Sequence, residues 1–203
     1  MKIIAIGRNY AAHAKELNNA VPTKPIIFLK PDTAVLKDNK PFYIPNFSLD
    51  IHYELEVVLK ICKEGKHIAE KFASNYYDEI GLGIDFTARD IQTQHKEKGL
   101  PWELAKAFDN SAAVSKFLPK SDFKNLYQLQ FELQINKETR QNGNTSNLLF
   151  SFENIISFVS QYITLKKGDL IFTGTPEGVG AVKTGDHLEA WLEGNQLLNF
   201  NIK

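Results

Sequence analysis

The chain has one cysteine, one methionine and no surplus of either charge, since 24 basic side chains balance 24 acidic ones over 203 residues. A lone cysteine, Cys62, excludes an internal disulfide and a thiolate zinc cluster. Because it follows the apolar stretch 57–61, it is expected to be a core thiol. Without a charge surplus or a basic run, nucleic acid and anionic membrane surfaces have no electrostatic footprint to act on. No apolar run approaches the roughly 20 residues of a membrane-spanning helix. The run Ile3-Ile4-Ala5-Ile6 is broken by Gly7-Arg8-Asn9, too early for the apolar core of a secretory signal. A cytoplasmic protein is therefore expected.

Repeats and low-complexity segments are absent too. A hydrophobic share of 43% and a charged share of 24% suit a globular protein. The length suits one domain over residues 1–203, large enough to bury a core without staples. Short apolar runs predict strands at 2–6, 26–30, 41–44, 81–86, 129–135 and 169–172, with a closing hairpin around Glu193-Gly194-Asn195. Helical spacing predicts helices at 10–17, 69–77, 152–162 and from Thr87 to about Lys98. Many strands, few helices and no regular alternation of the two give a mostly β, α+β fold.

The segment His52-Tyr53-Glu54-Leu55-Glu56-Val57-Val58-Leu59 carries charges where a half-buried strand has few. Alternation sends His52, Glu54 and Glu56 to one face. Two carboxylates about 7 Å apart repel by about 2 kcal/mol at an effective dielectric near 20. A cation between them turns repulsion into attraction, and oxygen donors suit Mg²⁺, Mn²⁺ or Ca²⁺. The ordinary reading is the solvated face of an antiparallel sheet. Asp85, within an apolar strand, is the third candidate ligand. Thr87 and Asp90 are better placed than Asp85 to cap the next helix.

His13 and Glu16, three apart on a short helix, make a base and its orienting carboxylate, or a plain surface pair. Lys106, between two alanines and beside Phe108, is either a buried ammonium or a snorkelling one. The segment 174–180 is rich in glycine and could present N–H groups to an anion. It lacks the ending of a P-loop, and Gly81-Leu-Gly83 has Phe86 where a dinucleotide motif needs glycine. Nucleotide binding is therefore excluded, and no G-x-S-x-G supports a serine hydrolase.

Taken in order, Gly7-Arg-Asn-Tyr10, Phe28-Leu-Lys-Pro31, His52-Tyr-Glu-Leu-Glu56, Asp85-Phe-Thr-Ala-Arg-Asp90, Gly99-Leu-Pro-Trp102, Lys106-Ala-Phe-Asp109, Gly143-Asn-Thr-Ser146 and Thr173-Gly-Thr-Pro176 resemble the fumarylacetoacetate hydrolase family. The likeness runs from Gly7 to the C-terminal hairpin and is nearest the small branch of acylpyruvases and oxaloacetate decarboxylases. The resemblance implies a mixed β-sandwich roll, commonly a homodimer, without the N-terminal domain of larger members. It implies Mg²⁺ or Mn²⁺ on Glu54, Glu56 and Asp85, with Ca²⁺ as a stand-in in crystals. It implies that His13 and Glu16 activate water, that Lys106 neutralises developing charge, and that Arg8, Lys30, Arg89, Gln92 and Thr175 hold substrate.

The expected substrate is a small 2-oxo acid, processed through an enolate that the metal stabilises. Acylpyruvate hydrolysis and oxaloacetate decarboxylation are the leading reactions. Hydroxyheptadienedioate isomerisation and oxaloacetate tautomerisation are the alternatives. Two readings of other classes are an iron oxygenase using His52 and a silent metabolite-binding protein.

Overall fold

The strand Ile3–Gly7 is apolar at every position but its last, as expected of a strand covered on both faces. In the computed structural model, which describes residues 1–17 and 19–203, it lies near one side of an eight-stranded sheet. Ile26–Lys30 pairs with it antiparallel and Leu170–Phe172 parallel. Leu55–Ile61, Tyr77–Asp85, Ala112–Val114 and Val35–Leu36 follow in that order, with Leu118–Pro119 branching from Tyr77–Asp85. A second sheet has the order Glu138–Asn144, Gln130–Ile135, His187–Leu192, Asn195–Asn201. A small third sheet joins Gly180–Ala181, Ile51–Tyr53 and Thr87–Ala88. With fifteen strands and five short α-helices among the described residues, the mostly β, α+β expectation holds.

The large sheet has a core on each face. Leu55, Val57, Leu59 and Ile61 face the main core, with Leu133, Leu188 and Leu198 of the second sheet and Ile155, Ile156 and Val159 of a helix, Phe152–Tyr162. Val58 points the other way, into a smaller core with Ile3, Ala5, Val114, Leu170 and Phe172. By the period of two, Glu56 shares the face of Val58. The smaller core is thus the floor from which the carboxylates rise. At Gly83 a Cβ would stand 2.4 Å from the Phe172 ring, so only glycine lets the strands close over that floor.

Several local expectations are corrected. Segment 41–44 forms only an isolated bridge, Phe42 with Ile202. The helix at 69–77 is cut to Glu70–Ala73 and a 3₁₀ turn, because Tyr77 starts a strand. Cys62 is half-buried just past the end of its strand, its thiol facing the Asn75 carbonyl at 3.6 Å. The N-cap of the helix Arg89–Lys98 is Ala88, which makes no side-chain bond, so Thr87 does not cap it, whereas Asp90 within the first turn accepts from Ile91 N–H at 2.8 Å. Asp90 also accepts from the Ser48 hydroxyl at 2.6 Å and Leu49 N–H at 3.0 Å, tying down the preceding loop.

Candidate active site

The charged strand is in fact two. Pairing stops at Glu54, between Ile51–Tyr53 in the small sheet and Leu55–Ile61 in the large one. The Leu55 N–H, left without a ladder partner, donates to Gln141 Oε1 at 2.8 Å. The Glu54 carbonyl accepts from Asp85 N–H at 2.8 Å, which brings the end of strand Tyr77–Asp85 beside the break. Glu54, Glu56 and Asp85 are 5%, 2% and 0% exposed, so the solvated-face reading fails. Each offers one oxygen within 4.8 Å of the others. His52 takes no part, since its Nε2 lies 2.9 Å from Asp50 and it does not line the cleft.

Burying three carboxylates costs several kcal/mol per ion unless each is paired. Lys106 Nζ donates to Glu54 Oε2 at 2.8 Å, Asp85 Oδ2 at 2.7 Å and Thr87 Oγ1 at 2.6 Å. Arg89 bonds Glu54 Oε1, and Lys30 Nζ stands 2.6 Å from Asp85 Oδ1. Among the described residues, Glu56 has only the Gly174 N–H, at 2.6 Å. Burial works to raise the Glu54 carboxyl, but Lys106, Arg89 and His13 outweigh it and hold it well below the usual range. Burial, then Asp85 and Glu54, push Glu56 well above that range, and Gly174 only partly offsets them. Lys106 is raised because Asp85 and Glu54 outweigh its burial, whereas burial prevails at Lys30 and lowers it.

This oxygen-only set could hold a divalent metal. Ligands bound to one hard cation at about 2.0–2.6 Å lie no more than about 4–5 Å from one another, and the three oxygens fall within 4.8 Å of one another. The ammonium of Lys106 is the positive charge that Glu54 and Asp85 share here.

His13 and Glu16 lie on a helix, Ala11–Glu16. His13 is 5% exposed, so it is not a plain surface pair, and its Nδ1 is 3.1 Å from Glu16 Oε2. Glu16 also accepts from Gly178 N–H at 2.9 Å. The glycine-rich segment therefore does present N–H groups to anions, but the anions are the protein's own Glu16 and Glu56. Gly174, with φ of +106° and a would-be Cβ 2.6 Å from Asn9 Cβ, is a position only glycine fits.

The cleft brings together Arg8, His13, Glu54, Glu56, Asp85, Arg89, Gln92, Lys106 and Thr175. It is tight, with about 30 Å³ open, while a larger cavity of about 450 Å³ beside Lys37, Lys60 and Phe117 holds none of these groups. Lys30 departs from its expected place: it stands behind Asp85, fully buried, bonding Ser111 Oγ at 3.0 Å and Ser111 O at 3.1 Å. It is a counter-ion under the floor rather than part of the wall.

Sequence reasoning passed over Lys96, Trp102 and Gln141. Arg89, Gln92 and Lys96 are spaced three and four apart, one stripe of the helix Arg89–Lys98, so helical periodicity carried a signal for Lys96. Gln141 had none, coming from the polar edge strand Glu138–Asn144 of the other sheet. Its Nε2 donates to Thr175 Oγ1 at 2.8 Å and to the Pro176 carbonyl at 3.0 Å, while Oε1 holds Leu55. One carboxamide thus ties the carboxylate strand to the Thr175 loop. Replacing it by leucine is expected to leave buried groups unpaired and to cost about 1–3 kcal/mol, read from the midpoint of urea unfolding.

The chain matches the family described as Fumarylacetoacetate (FAA) hydrolase C-terminal over residues 2–202. It is 44% identical over 201 residues to the mouse protein "Oxaloacetate tautomerase FAHD1, mitochondrial", covering 99% of this chain and 91% of the relative. It is 41% identical to "Oxaloacetate decarboxylase, mitochondrial" of Dictyostelium discoideum, covering 95% and 89%. A crystal structure of fumarylpyruvate hydrolase from Pseudomonas aeruginosa, in complex with Mn²⁺ and pyruvate, superposes with a TM-score of 0.94 at 35% identity, covering 100% of this chain and 89% of that one. The two mitochondrial relatives overturn the cytoplasmic expectation, which rested on the lack of an apolar secretory core and so did not bear on other addresses. By the residues matched and the fold shared, the chain belongs to the fumarylacetoacetate hydrolase family and is one of its enzymes.

Proposed function

We propose that this chain turns over small 2-oxo acids through an enolate, by tautomerisation or decarboxylation of oxaloacetate and by hydrolytic C–C cleavage of acylpyruvates. The observation that carries this reading is the meeting of Glu54, Glu56 and Asp85 in a cleft walled by Arg89, Gln92, Thr175 and Lys106. The oxaloacetate-named relatives support the first pair of reactions. The buried His13, paired with Glu16, and the fumarylpyruvate hydrolase support the hydrolytic one.

The three carboxylates would hold Mg²⁺ or Mn²⁺, and such a cation supplies electrophilic stabilisation to an enolate oxygen. Arg8, Arg89, Gln92 and Thr175 orient the substrate's oxygens. The Lys106 ammonium, whose three N–H donors now go to Glu54, Asp85 and Thr87, would turn one of them to the 2-oxo oxygen as negative charge grows there, once a cation takes over the carboxylates. In tautomerisation a proton leaves C3 and one reaches that oxygen. In decarboxylation the C3–C4 bond breaks, CO₂ departs and C3 takes a proton to give pyruvate. In hydrolysis His13 Nε2 takes a proton from water, the hydroxide adds to the distal carbonyl, and the C–C bond breaks. Enolate leaves and is protonated to pyruvate.

Oxaloacetate, acetylpyruvate and fumarylpyruvate, each with Mg²⁺ or Mn²⁺, test the proposal by pyruvate formation and enol absorbance. Turnover of at least one, lost on adding excess chelator, is expected. No reaction with any of the three, or full turnover under chelator, rejects it.

A further inference from the structure

A buried carboxamide behind the cleft joins its two halves. Asn9 has no exposed surface and does not line the cleft, but it stands two residues before the helix Ala11–Glu16 that carries His13. It follows Arg8, whose φ of 59° is a left-handed conformation that L residues rarely adopt. Asn9 Nδ2 donates to the Phe150 carbonyl at 3.1 Å and to the Thr173 carbonyl at 2.8 Å, and Oδ1 accepts from Phe150 N–H at 2.8 Å. Its own carbonyl accepts from Leu149 N–H at 2.9 Å. Both amide protons and the amide oxygen are engaged, so the side chain is held in one orientation.

The Thr173 carbonyl and the Gly174 N–H belong to one peptide unit. In a planar trans peptide these two groups point in opposite directions. Gly174 N–H donates to Glu56 Oε2 at 2.6 Å. Asn9, the peptide and Glu56 therefore form one chain of hydrogen bonds, and donation to the carbonyl polarises the N–H that meets the carboxylate. Thr173 is also tied to the carboxylate strand, since its N–H and Oγ1 donate to the Val57 carbonyl at 3.1 and 2.8 Å. Four residues on from Gly174, Gly178 N–H holds Glu16 at 2.9 Å. One segment thus touches both the carboxylate cluster and the partner of His13.

We propose that Asn9 is a positioning residue that sets these two halves in register. Through the Thr173–Gly174 peptide it aims Glu56, and through the chain it anchors it places the His13 helix against the carboxylates. Hydrolysis needs the base and the cation site aligned, whereas decarboxylation needs only the second, so loss of Asn9 falls harder on hydrolysis. That consequence rests on the proposed function above, while the link from Asn9 to Glu56 is tested without it.

Three readouts test the role: amide hydrogen exchange at Gly174 by NMR, Mn²⁺ affinity by calorimetry, and kcat/KM on acetylpyruvate and oxaloacetate. Asn9→Ala is expected to speed Gly174 exchange and to weaken Mn²⁺ binding, each by about tenfold or more. The ratio of hydrolysis to decarboxylation is expected to fall by about tenfold. Asn9→Ser leaves a smaller hole and one short donor, so it is expected to lie between, and it stands in for Asn9→Ala should that variant not fold. Ser151→Ala removes the bond from Asn154 N–H at 3.1 Å beside Phe150, a loss of local stability that is expected to move none of the three readouts. Unchanged Gly174 exchange in a folded Asn9 variant, or equal acceleration in Ser151→Ala, would overturn the inference. Faster exchange with Mn²⁺ affinity and substrate ratio both unchanged would reduce Asn9 to a structural residue and overturn it too. Faster exchange and weaker Mn²⁺ binding in a protein whose unsubstituted form turns over neither substrate keeps the positioning of Glu56 and removes the proposed function.

Discussion

Asp85→Ala is expected to lower the unfolding free energy by about 3–5 kcal/mol and to abolish divalent-metal binding together. Asp85 has no exposed surface, and each of its oxygens faces an ammonium: Lys30 at 2.6 Å and Lys106 at 2.7 Å. Truncation leaves Lys30 with neutral partners only, in a place that water does not reach. Lys106 keeps Glu54, so its loss is the smaller one. Asp85→Asn preserves the volume and much of the hydrogen bonding, so its stability loss is expected to be smaller while metal binding is still lost. Urea unfolding and calorimetric titration with Mn²⁺ separate the two effects. A well-folded Asp85→Asn protein with unchanged metal affinity would take Asp85 out of the cation site.

How far such a site can be read from sequence depends on which contacts are local. Glu54 and Glu56 betrayed themselves by sitting in a strand at equal parity, a pattern that a buried strand tolerates only with partners. The same pattern describes a wet sheet face, and alternation alone does not separate the two. Val57 and Val58, adjacent and both buried, were the local sign that this strand is covered on both sides. The break at Glu54 left no mark, because the lost ladder bond is replaced by Gln141, 86 positions away in another sheet. Gln141 in turn stands in a segment whose residues are polar at nearly every position, as an edge strand allows. Lys30 shows the opposite limit. Its motif marked it as near the substrate, but the direction of a strand side chain is settled only by pairing, and here it points beneath Asp85. Lys96 was recoverable: the stripe through Arg89 and Gln92 continues to it at helical spacing.

His13→Ala is expected to slow acylpyruvate hydrolysis by about 100-fold or more, the loss typical of a general base, and to slow oxaloacetate decarboxylation far less. The asymmetry follows from geometry. Glu16 faces Nδ1 at 3.1 Å and is itself fixed by Gly178 N–H at 2.9 Å, so the proton of a neutral ring belongs on Nδ1 and the lone pair on Nε2 is left for the cleft. Hydrolysis needs that lone pair to take a proton from water before the distal carbonyl is attacked. Loss of CO₂ needs no attacking water, only stabilisation of the enolate left behind, which Lys106 and any cation that Glu54, Glu56 and Asp85 would hold would supply in both reactions. Glu16→Gln keeps an oxygen for Gly178 but replaces the carboxylate that accepts from Nδ1–H with a neutral amide that orients the ring less firmly, so it is expected to lie between the alanine variant and the unsubstituted protein. The measurement is kcat/KM on acetylpyruvate and on oxaloacetate with one preparation of each variant. Equal losses on both substrates would move His13 from activating water to protonating the shared enolate, and no loss on either would remove the pair from the mechanism.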